Sequence, residues 1–135
     1  MATIKNFEEI ESWKQARELN LKLLPILKKL NEEKYFELKN QLERSSGSIM
    51  DNIAEGFERG GNREFIQFLA IAKGSLGEVR SQLYRVNDRQ LINETELDKL
   101  QNECKLLAGK IASFMTYLRN SEFKGEKFKQ SQISN

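Results

Sequence analysis

The chain has 135 residues, of which 39% are hydrophobic and 31% are charged, with one proline and eight glycines. This length favours a single domain that buries about two-thirds of its unfolded surface, and the composition excludes collagen, a proline-rich linker and general disorder. The 22 basic and 20 acidic residues leave a formal net charge of +2, too small to indicate nucleic-acid or membrane binding by itself. The lack of histidine excludes histidine-based catalytic triads and histidine-containing zinc sites.

The first amphipathic segment covers residues 7–30 and repeats its apolar residues at helical spacing. Its apolar stripe consists of Ile10, Trp13, Ala16, Leu19, Leu23, Ile26 and Leu27. Pro25 interrupts this pattern, and an interior proline removes a backbone hydrogen bond and clashes with the carbonyl four residues earlier. We expect a kink near residues 21–24, with a complete break as the alternative.

Two further helices follow. The second covers residues 34–58, with Leu38, Leu42, Ile49 and Ile53 on its apolar stripe and Asn31 as a candidate N-cap. The third enters at Asn62 after the Gly60-Gly61 break and closes at Asn87-Asp88. Its apolar residues again recur at steps of three and four, which predicts a long helix.

The fourth segment has the most regular pattern. Its stripe consists of Leu97, Leu100, Cys104, Leu107, Ile111, Phe114 and Leu118. Thr95 with Asp98 three residues later resembles a capping box, so Thr95 is the predicted N-cap.

Four long helices joined by short loops predict an all-α fold, an up-down-up-down antiparallel four-helix bundle over residues 1–120. Residues 121–135 lose the periodicity and are predicted to form a disordered tail.

The second helix carries a polar stripe beside its apolar one. The stripe consists of Gln41, Ser45, Ser48, Asn52, Glu55 and Arg59. Serine and asparagine are mediocre helix formers that favour close, hydrogen-bonded packing, so the first interpretation is a seam satisfied by a neighbouring helix or subunit. A ligand or nucleic-acid contact is the second interpretation, and a catalytic Glu55–Arg59 pair is the third.

The third helix carries a lane of small side chains, which we call the glycine lane: Ala70, Gly74, Gly77 and Ser81. Each interior glycine costs roughly 1 kcal/mol relative to alanine, so the lane predicts close approach of another helix. That helix belongs either to the same chain, or to another subunit or a partner.

Basic residues are candidates for contact with nucleic-acid phosphates: Arg44, Arg59, Arg63, Lys73 and Arg80. The alternative is an ordinary solvated face, but assembly into an oligomer would repeat these charges and strengthen their field.

Cys104 lies within the apolar stripe of the fourth segment, which favours a buried hydrophobic side chain over a reactive thiol. One cysteine cannot form a disulfide within the chain, and the N-terminus lacks the apolar core of a signal peptide. We therefore expect a cytoplasmic protein with no membrane span.

These residues together resemble a known family, the 23S rRNA intervening-sequence proteins, over about residues 7–118. The resemblance rests on Trp13 with Ala16, Gln41-Leu42-Glu43-Arg44, Ser48-Ile49, Asn52-Ile53-Ala54-Glu55-Gly56, Arg59, Phe65, Phe68-Leu69, Ala72-Lys73-Gly74-Ser75 and Glu78. It implies a small bacterial four-helix bundle that assembles into ring-like homo-oligomers, commonly pentamers. It also implies a fold shared with the accessory variability determinant proteins of diversity-generating retroelements, which bind nucleic acid and a reverse transcriptase.

The resulting functional prediction is a non-enzymatic, homo-oligomeric scaffold without cofactor or metal that binds nucleic acid, RNA in particular, through repeated basic faces. The alternative is a protein-interaction module, for example an accessory subunit of a reverse transcriptase. A partner would then dock on the glycine lane or on the polar stripe of the second helix.

Overall fold

The computed structural model of the protein describes residues 4–121. Within that range a short 3-10 helix at Phe7–Glu9 precedes four α-helices, and no residue lies in a strand. The helices are α1 (Glu11–Glu32), α2 (Phe36–Glu58), α3 (Asn62–Asp88) and α4 (Glu94–Arg119). The predicted all-α fold is confirmed. The predicted disordered tail lies, apart from Ser121, outside the described residues.

The four helices pack in sequence order around one core. α2 packs most extensively on α3, and α1 and α4 make the smallest contact between neighbouring helices. Neighbours run antiparallel: Asn62 at the start of α3 donates to the carbonyl of Leu118 near the end of α4 at 2.7 Å. Lys22 on α1 likewise reaches Glu103 on α4 at 2.6 Å, while Lys29, further along α1, bonds the carbonyl of Leu91 just before α4.

The apolar stripes meet along the bundle axis, and the largest buried side chains lie near the α2–α3 turn. Phe57 and Phe65 are fully buried, with ring centroids 6.2 Å apart in an edge-to-face arrangement. Phe114 on α4 meets Phe65 edge-on at 5.1 Å. Each fully buried phenylalanine contributes about 1.5–3 kcal/mol through removal of apolar surface from water. This cluster ties α2, α3 and α4 together at one end of the bundle.

The first helix differs from its predicted bounds. A 3-10 turn occupies Phe7–Glu9, and Ile10 has extended backbone angles, so α1 begins only at Glu11. The helix continues past Pro25 to Glu32, and the alternative of a complete break is therefore wrong. The kink near residues 21–24 stays a prediction.

Two predicted caps are also wrong. Asn31 lies inside α1, and α2 begins after Tyr35 without a side-chain cap. Asn93, and not Thr95, caps α4: its side chain accepts from the Glu96 amide at 2.8 Å, and its amide donates to the Glu96 carboxylate at 3.1 Å. The Asn93–Glu96 pair has the residue types and spacing of a full capping box, which outweighs the weaker Thr95–Asp98 arrangement. The predicted bounds of α3 are confirmed.

No helix in residues 4–121 combines the length and apolar character that a membrane span requires.

Candidate functional site

The polar stripe of α2 faces α3, where three of its six members find hydrogen-bond partners. The Oγ atoms of Ser48 and Ser75 lie 2.8 Å apart. One turn away, Gln82 Nε2 donates to Ser45 Oγ at 3.0 Å. At the next turn, Arg85 donates to Gln41 Oε1 at 2.7 Å. The interpretation of a seam satisfied by a neighbouring helix is confirmed for these residues of α2.

A groove of about 520 Å³ opens above this row of hydrogen bonds, and we call it the polar groove. Its lining residues are Gln41, Arg44, Ser45, Ser48, Ser75, Glu78 and Gln82. Ser45 and Ser75 are each 7% exposed and Gln82 is 9% exposed, so the floor is built from buried polar side chains. Within residues 4–121, the Oε1 atom of Gln82 has no hydrogen-bond partner.

Opposite charges flank the mouth of the polar groove. Arg44 projects from α2 and Glu78 from α3, and both are exposed. In the described part of the chain, neither side chain makes a hydrogen bond or ion pair with any residue. The groove therefore offers one free cation and one free carboxylate above a polar floor.

The remainder of the α2 stripe bonds within its own helix. Asn52 donates to the carbonyl and to the hydroxyl of Ser48, both at 2.8 Å. Arg59 and Glu55 form an ion pair at 2.9 Å with both side chains about half exposed. The Arg59 guanidinium also lies 5.0 Å from the centre of the Phe68 ring. These contacts give the Glu55–Arg59 pair a local structural role.

The glycine lane points away from the other helices that the structure describes. A Cβ atom built on Gly74 or on Gly77 meets nothing within 4 Å, and Ala70 and Ser81 are exposed. The interpretation that α3 uses this lane to pack inside its own chain is therefore wrong for the two glycines. Tyr84, 50% exposed, extends the lane by one turn.

The five candidate basic residues do not form one surface on a single chain. Arg80 donates to Gln101 Oε1 at 2.9 Å, which places it on the α4 side of α3. Lys73 lies seven residues earlier and shares that side by helical periodicity. Arg44 lies instead at the polar groove, while Arg63 is exposed in the first turn of α3.

The sequence analysis missed a polar stripe on α3. Its residues Ser75, Glu78 and Gln82 line the polar groove, and Arg85 bonds Gln41. The four follow a 3-4-3 spacing, the same signal that identified the stripe on α2. A search for polar stripes on both helices would have found them. Their pairing with α2 depends on the register of the two helices, which no single-helix pattern contains.

Cys104 is fully buried, as predicted. Burial, helped by the neighbouring Glu103 carboxylate, raises the pKa of its thiol to about 11. Such a thiol is a poor nucleophile because the thiolate is the reactive form. Among residues 4–121, no group of three or more histidine, cysteine or acidic side chains is arranged to hold a metal ion.

Comparisons with known proteins agree with this architecture. The sequence model of a family described as 23S rRNA-intervening sequence protein matches residues 8–113. A crystal structure of a protein of unknown function from the S23 ribosomal protein family of Bacteroides thetaiotaomicron is similar, with a TM-score of 0.72 and 24% identity. The similarity covers 77% of this chain and 97% of that one, and it supports the fold. A comparison with curated proteins gives no match.

Proposed function

Because the chain belongs to the 23S rRNA-intervening sequence protein family, we propose that it is a non-enzymatic scaffold that assembles with copies of itself and binds nucleic acid, RNA in particular. Assembly uses the glycine lane of α3, and the assembled copies present their basic residues repeatedly. The observation that carries the proposal is the exposure of Gly74 and Gly77: a Cβ atom built on either one meets nothing in residues 4–121 within 4 Å.

Self-assembly explains why α3 tolerates these glycines. Two interior glycines together cost the helix about 2 kcal/mol relative to alanine, and no contact among residues 4–121 offsets this cost. A helix from another subunit would approach the glycine lane more closely than it would approach larger side chains. The resemblance found in the sequence implies ring-like homo-oligomers, commonly pentamers, and the lane supplies a physical basis for such a contact.

Nucleic-acid binding is supported by exposed basic residues that no other described side chain neutralises. Arg44, Arg63 and Lys73 are exposed and make no ion pair or hydrogen bond within residues 4–121. Arg59 and Arg80 contribute less, since Glu55 and Gln101 already engage them. Three such cations are few for firm phosphate binding, whereas a ring would repeat them in every copy.

The non-enzymatic part of the proposal is supported by the chemistry of the side chains. The chain has no histidine, and its single cysteine is a buried thiol with a raised pKa. The Glu55–Arg59 pair is engaged in an exposed ion pair. These residues give the described surface no activated nucleophile.

Light scattering of the full chain tests assembly. We expect a mass that is a multiple of 15.7 kDa, and we expect Gly74→Leu with Gly77→Leu to dissociate the oligomer while circular dichroism stays helical. Gly109→Leu on α4 is the matched control, because that glycine also has nothing within 4 Å but lies outside the lane. A monomeric wild type would contradict the proposal. If the double variant keeps the mass of the wild-type oligomer, the interface does not lie on α3.

Filter binding against structured RNA at two salt concentrations tests the nucleic-acid part. Changing Arg44, Arg63 and Lys73 to glutamine should weaken binding and flatten the salt dependence, because each lost phosphate contact lowers the slope by about 0.7–0.9. The matched control changes Arg17, Lys28 and Lys105, which are exposed and remove the same charge. Absent or salt-insensitive binding by the wild type would contradict phosphate contact.

A protein-interaction module, for example an accessory subunit of a reverse transcriptase, is the second candidate. The observation that favours it is the exposure of Ile71 and Tyr84, 52% and 50%, beside the glycine lane. Apolar side chains bordering a lane of small residues suit contact with another protein. Purification from the native host, with sequencing of bound nucleic acid and mass spectrometry of bound protein, distinguishes the two functions.

A further inference from the structure

A second groove, of about 770 Å³, lies between the start of α1 and the second half of α4, and we call it the apolar groove. Its apolar lining comes from Ile4, Ile10, Leu106 and Phe114. Gly109 lies among them, and a Cβ atom built there meets nothing within 4 Å. A concave and mostly apolar surface of this size is typical of sites that bind small molecules.

The fold leaves room for the apolar groove because α1 and α4 make the smallest contact between neighbouring helices. The backbone of Ile10 is extended, so the segment before α1 departs from the helix and contributes to the lining. Leu106 is 70% exposed, the largest exposed fraction of any large apolar side chain in residues 4–121. A ligand that covers Leu106 would remove this surface from water, which favours binding.

One charged side chain that lines the apolar groove has no partner. Glu9 accepts two backbone hydrogen bonds within the segment before α1, and Glu11 lies 3.9 Å from the ammonium group of Lys14. Lys110 on α4 is exposed and makes no ion pair or hydrogen bond with any residue in 4–121. The complementary ligand therefore has an apolar body and one anionic group.

We propose that the apolar groove binds a free long-chain carboxylate, that is, a fatty acid. Its alkyl chain lies against Ile10, Leu106 and Phe114, and its carboxylate lies beside Lys110. Each methylene group that the groove removes from water adds to the affinity, and the ion pair with Lys110 sets the preferred charge. The inference is independent of the proposed function, because it uses neither the glycine lane nor the residues proposed to contact RNA.

Calorimetric titration of the full chain with dodecanoate, below the concentration at which micelles form, tests the proposal. We expect saturable binding of one dodecanoate per chain. Dodecyltrimethylammonium, with the same chain length and the opposite charge, should bind about threefold to fivefold more weakly, the scale of one exposed ion pair. This comparison uses only the wild-type protein, so it does not depend on the folding of a variant. Uptake that does not saturate, equal affinities or a preference for the cation would overturn the proposal.

A variant that fills the groove locates the site. Gly109→Leu should weaken dodecanoate binding about tenfold or more, because the new side chain occupies the space that the alkyl chain needs. Gly47→Leu on α2 is the matched control, since that glycine also has nothing within 4 Å and lies outside the groove. Circular dichroism checks that both variants stay helical. Undiminished binding by Gly109→Leu would contradict the assignment.

A charge reversal assigns the preference to Lys110. Lys110→Glu should make the chain prefer dodecyltrimethylammonium to dodecanoate. Lys105→Glu changes the same charge at an exposed position of α4 that does not line the groove, so it should keep the wild-type preference. If both variants shift the preference equally, the net charge of the protein determines it and Lys110 does not.

Two other occupants of the groove give different results, and either would overturn the proposal. A membrane lipid predicts that the chain sediments with phosphatidylglycerol vesicles and does not bind free dodecanoate. A second copy of the chain predicts that Gly109→Leu lowers the oligomer mass in light scattering, again without dodecanoate binding by the wild type. A monomeric wild type that binds dodecanoate would contradict the proposed function and support the groove assignment.

Discussion

The Oγ atoms of Ser48 on α2 and Ser75 on α3 lie 2.8 Å apart and share one hydrogen bond between the two helices. Ser75 is 7% exposed, and Ser48 also accepts a hydrogen bond from Asn52 at 2.8 Å. The bond joins the middle of α2 to the middle of α3, the two helices with the most extensive contact in the bundle. It therefore helps to fix their register and, with it, the floor of the polar groove.

A double-mutant cycle on this pair gives the first prediction. Ser75→Ala should lower the free energy of unfolding by about 1 kcal/mol, because it removes the bond and leaves a partly buried hydroxyl without that partner. Ser48→Ala should cost a similar amount, and the double variant should cost less than the sum of the two, since one bond is lost only once. Urea unfolding measures all three values. Strict additivity would show that the two hydroxyls do not stabilise the fold together.

Hydrophobic spacing was sufficient to predict the class and order of the elements. α3 begins and ends where the sequence places it, because Gly60-Gly61 and Asn87-Asp88 interrupt a clear apolar rhythm. Spacing also identified the polar stripe on α2. The partner of each polar residue depends on how two helices are aligned, so the pairing of Gln82 with Ser45 and of Arg85 with Gln41 could not be predicted from α2 alone.

The left-handed residues that follow α1 and α3 could not be predicted, because the residue type usual at such positions is missing. Lys34 and Gln90 follow α1 and α3 with φ angles of 65° and 61°, in the left-handed region where glycine is the common choice. At both ends the backbone amide of the next residue bonds a carbonyl five positions back, at 2.8 Å from Tyr35 and 3.4 Å from Leu91. Among residues 4–121, Gly60 is the one glycine in this region, with a φ of 86° after α2. Lysine and glutamine give no comparable signal in a sequence.

The cap of α4 gives the second prediction. Asn93→Ala should lower the free energy of unfolding by about 1 kcal/mol, because it removes the acceptor for the Glu96 amide. Thr95→Ala should change it by about 0.5 kcal/mol or less, since Thr95 is exposed within the first turn. Thermal unfolding of the two variants measures the difference. A larger effect at Thr95 than at Asn93 would show that Thr95, as the sequence predicts, is the N-cap of α4.

Cys104 gives the third prediction, through the pH dependence of stability. Burial raises the pKa of this thiol from 9.0 to about 11, so the unfolded chain loses the proton at lower pH than the native protein. The contribution of this thiol to the free energy of unfolding should therefore fall as pH rises from about 9 to about 11, by roughly 2–3 kcal/mol at most. Below about pH 8 the thiol is protonated in both states and contributes no pH dependence.

Comparison of the wild type with Cys104→Ala separates this contribution from the lysines and tyrosines that titrate in the same range. The difference in stability between the two proteins should shrink as pH rises. Alkylation by iodoacetamide at pH 8 should be slow in the native protein and fast in urea, because the thiol is fully buried. Equal alkylation rates in the two conditions would contradict a buried, protonated thiol.

Two glycines on α2 give the last prediction, because they share a helix but differ in surroundings. A Cβ atom on Gly56 would lie 2.7 Å from Phe68 Cβ and 2.9 Å from Phe65 Cδ1. The first of these atoms is fixed to the backbone of α3 and cannot rotate away, so α2 and α3 would have to separate. Gly56→Ala should therefore lower the free energy of unfolding by about 1–3 kcal/mol, the usual cost of overpacking.

Gly47 is the matched control, since a Cβ atom there meets nothing within 4 Å. Gly47→Ala should raise the free energy of unfolding by about 0.5–1 kcal/mol, because alanine loses less backbone entropy than glycine when a helix forms. Urea unfolding of the two variants should give changes of opposite sign. Stabilisation by Gly56→Ala would mean that α2 and α3 do not approach closely at the Phe65–Phe68 segment, and the register that builds the polar groove would then be wrong.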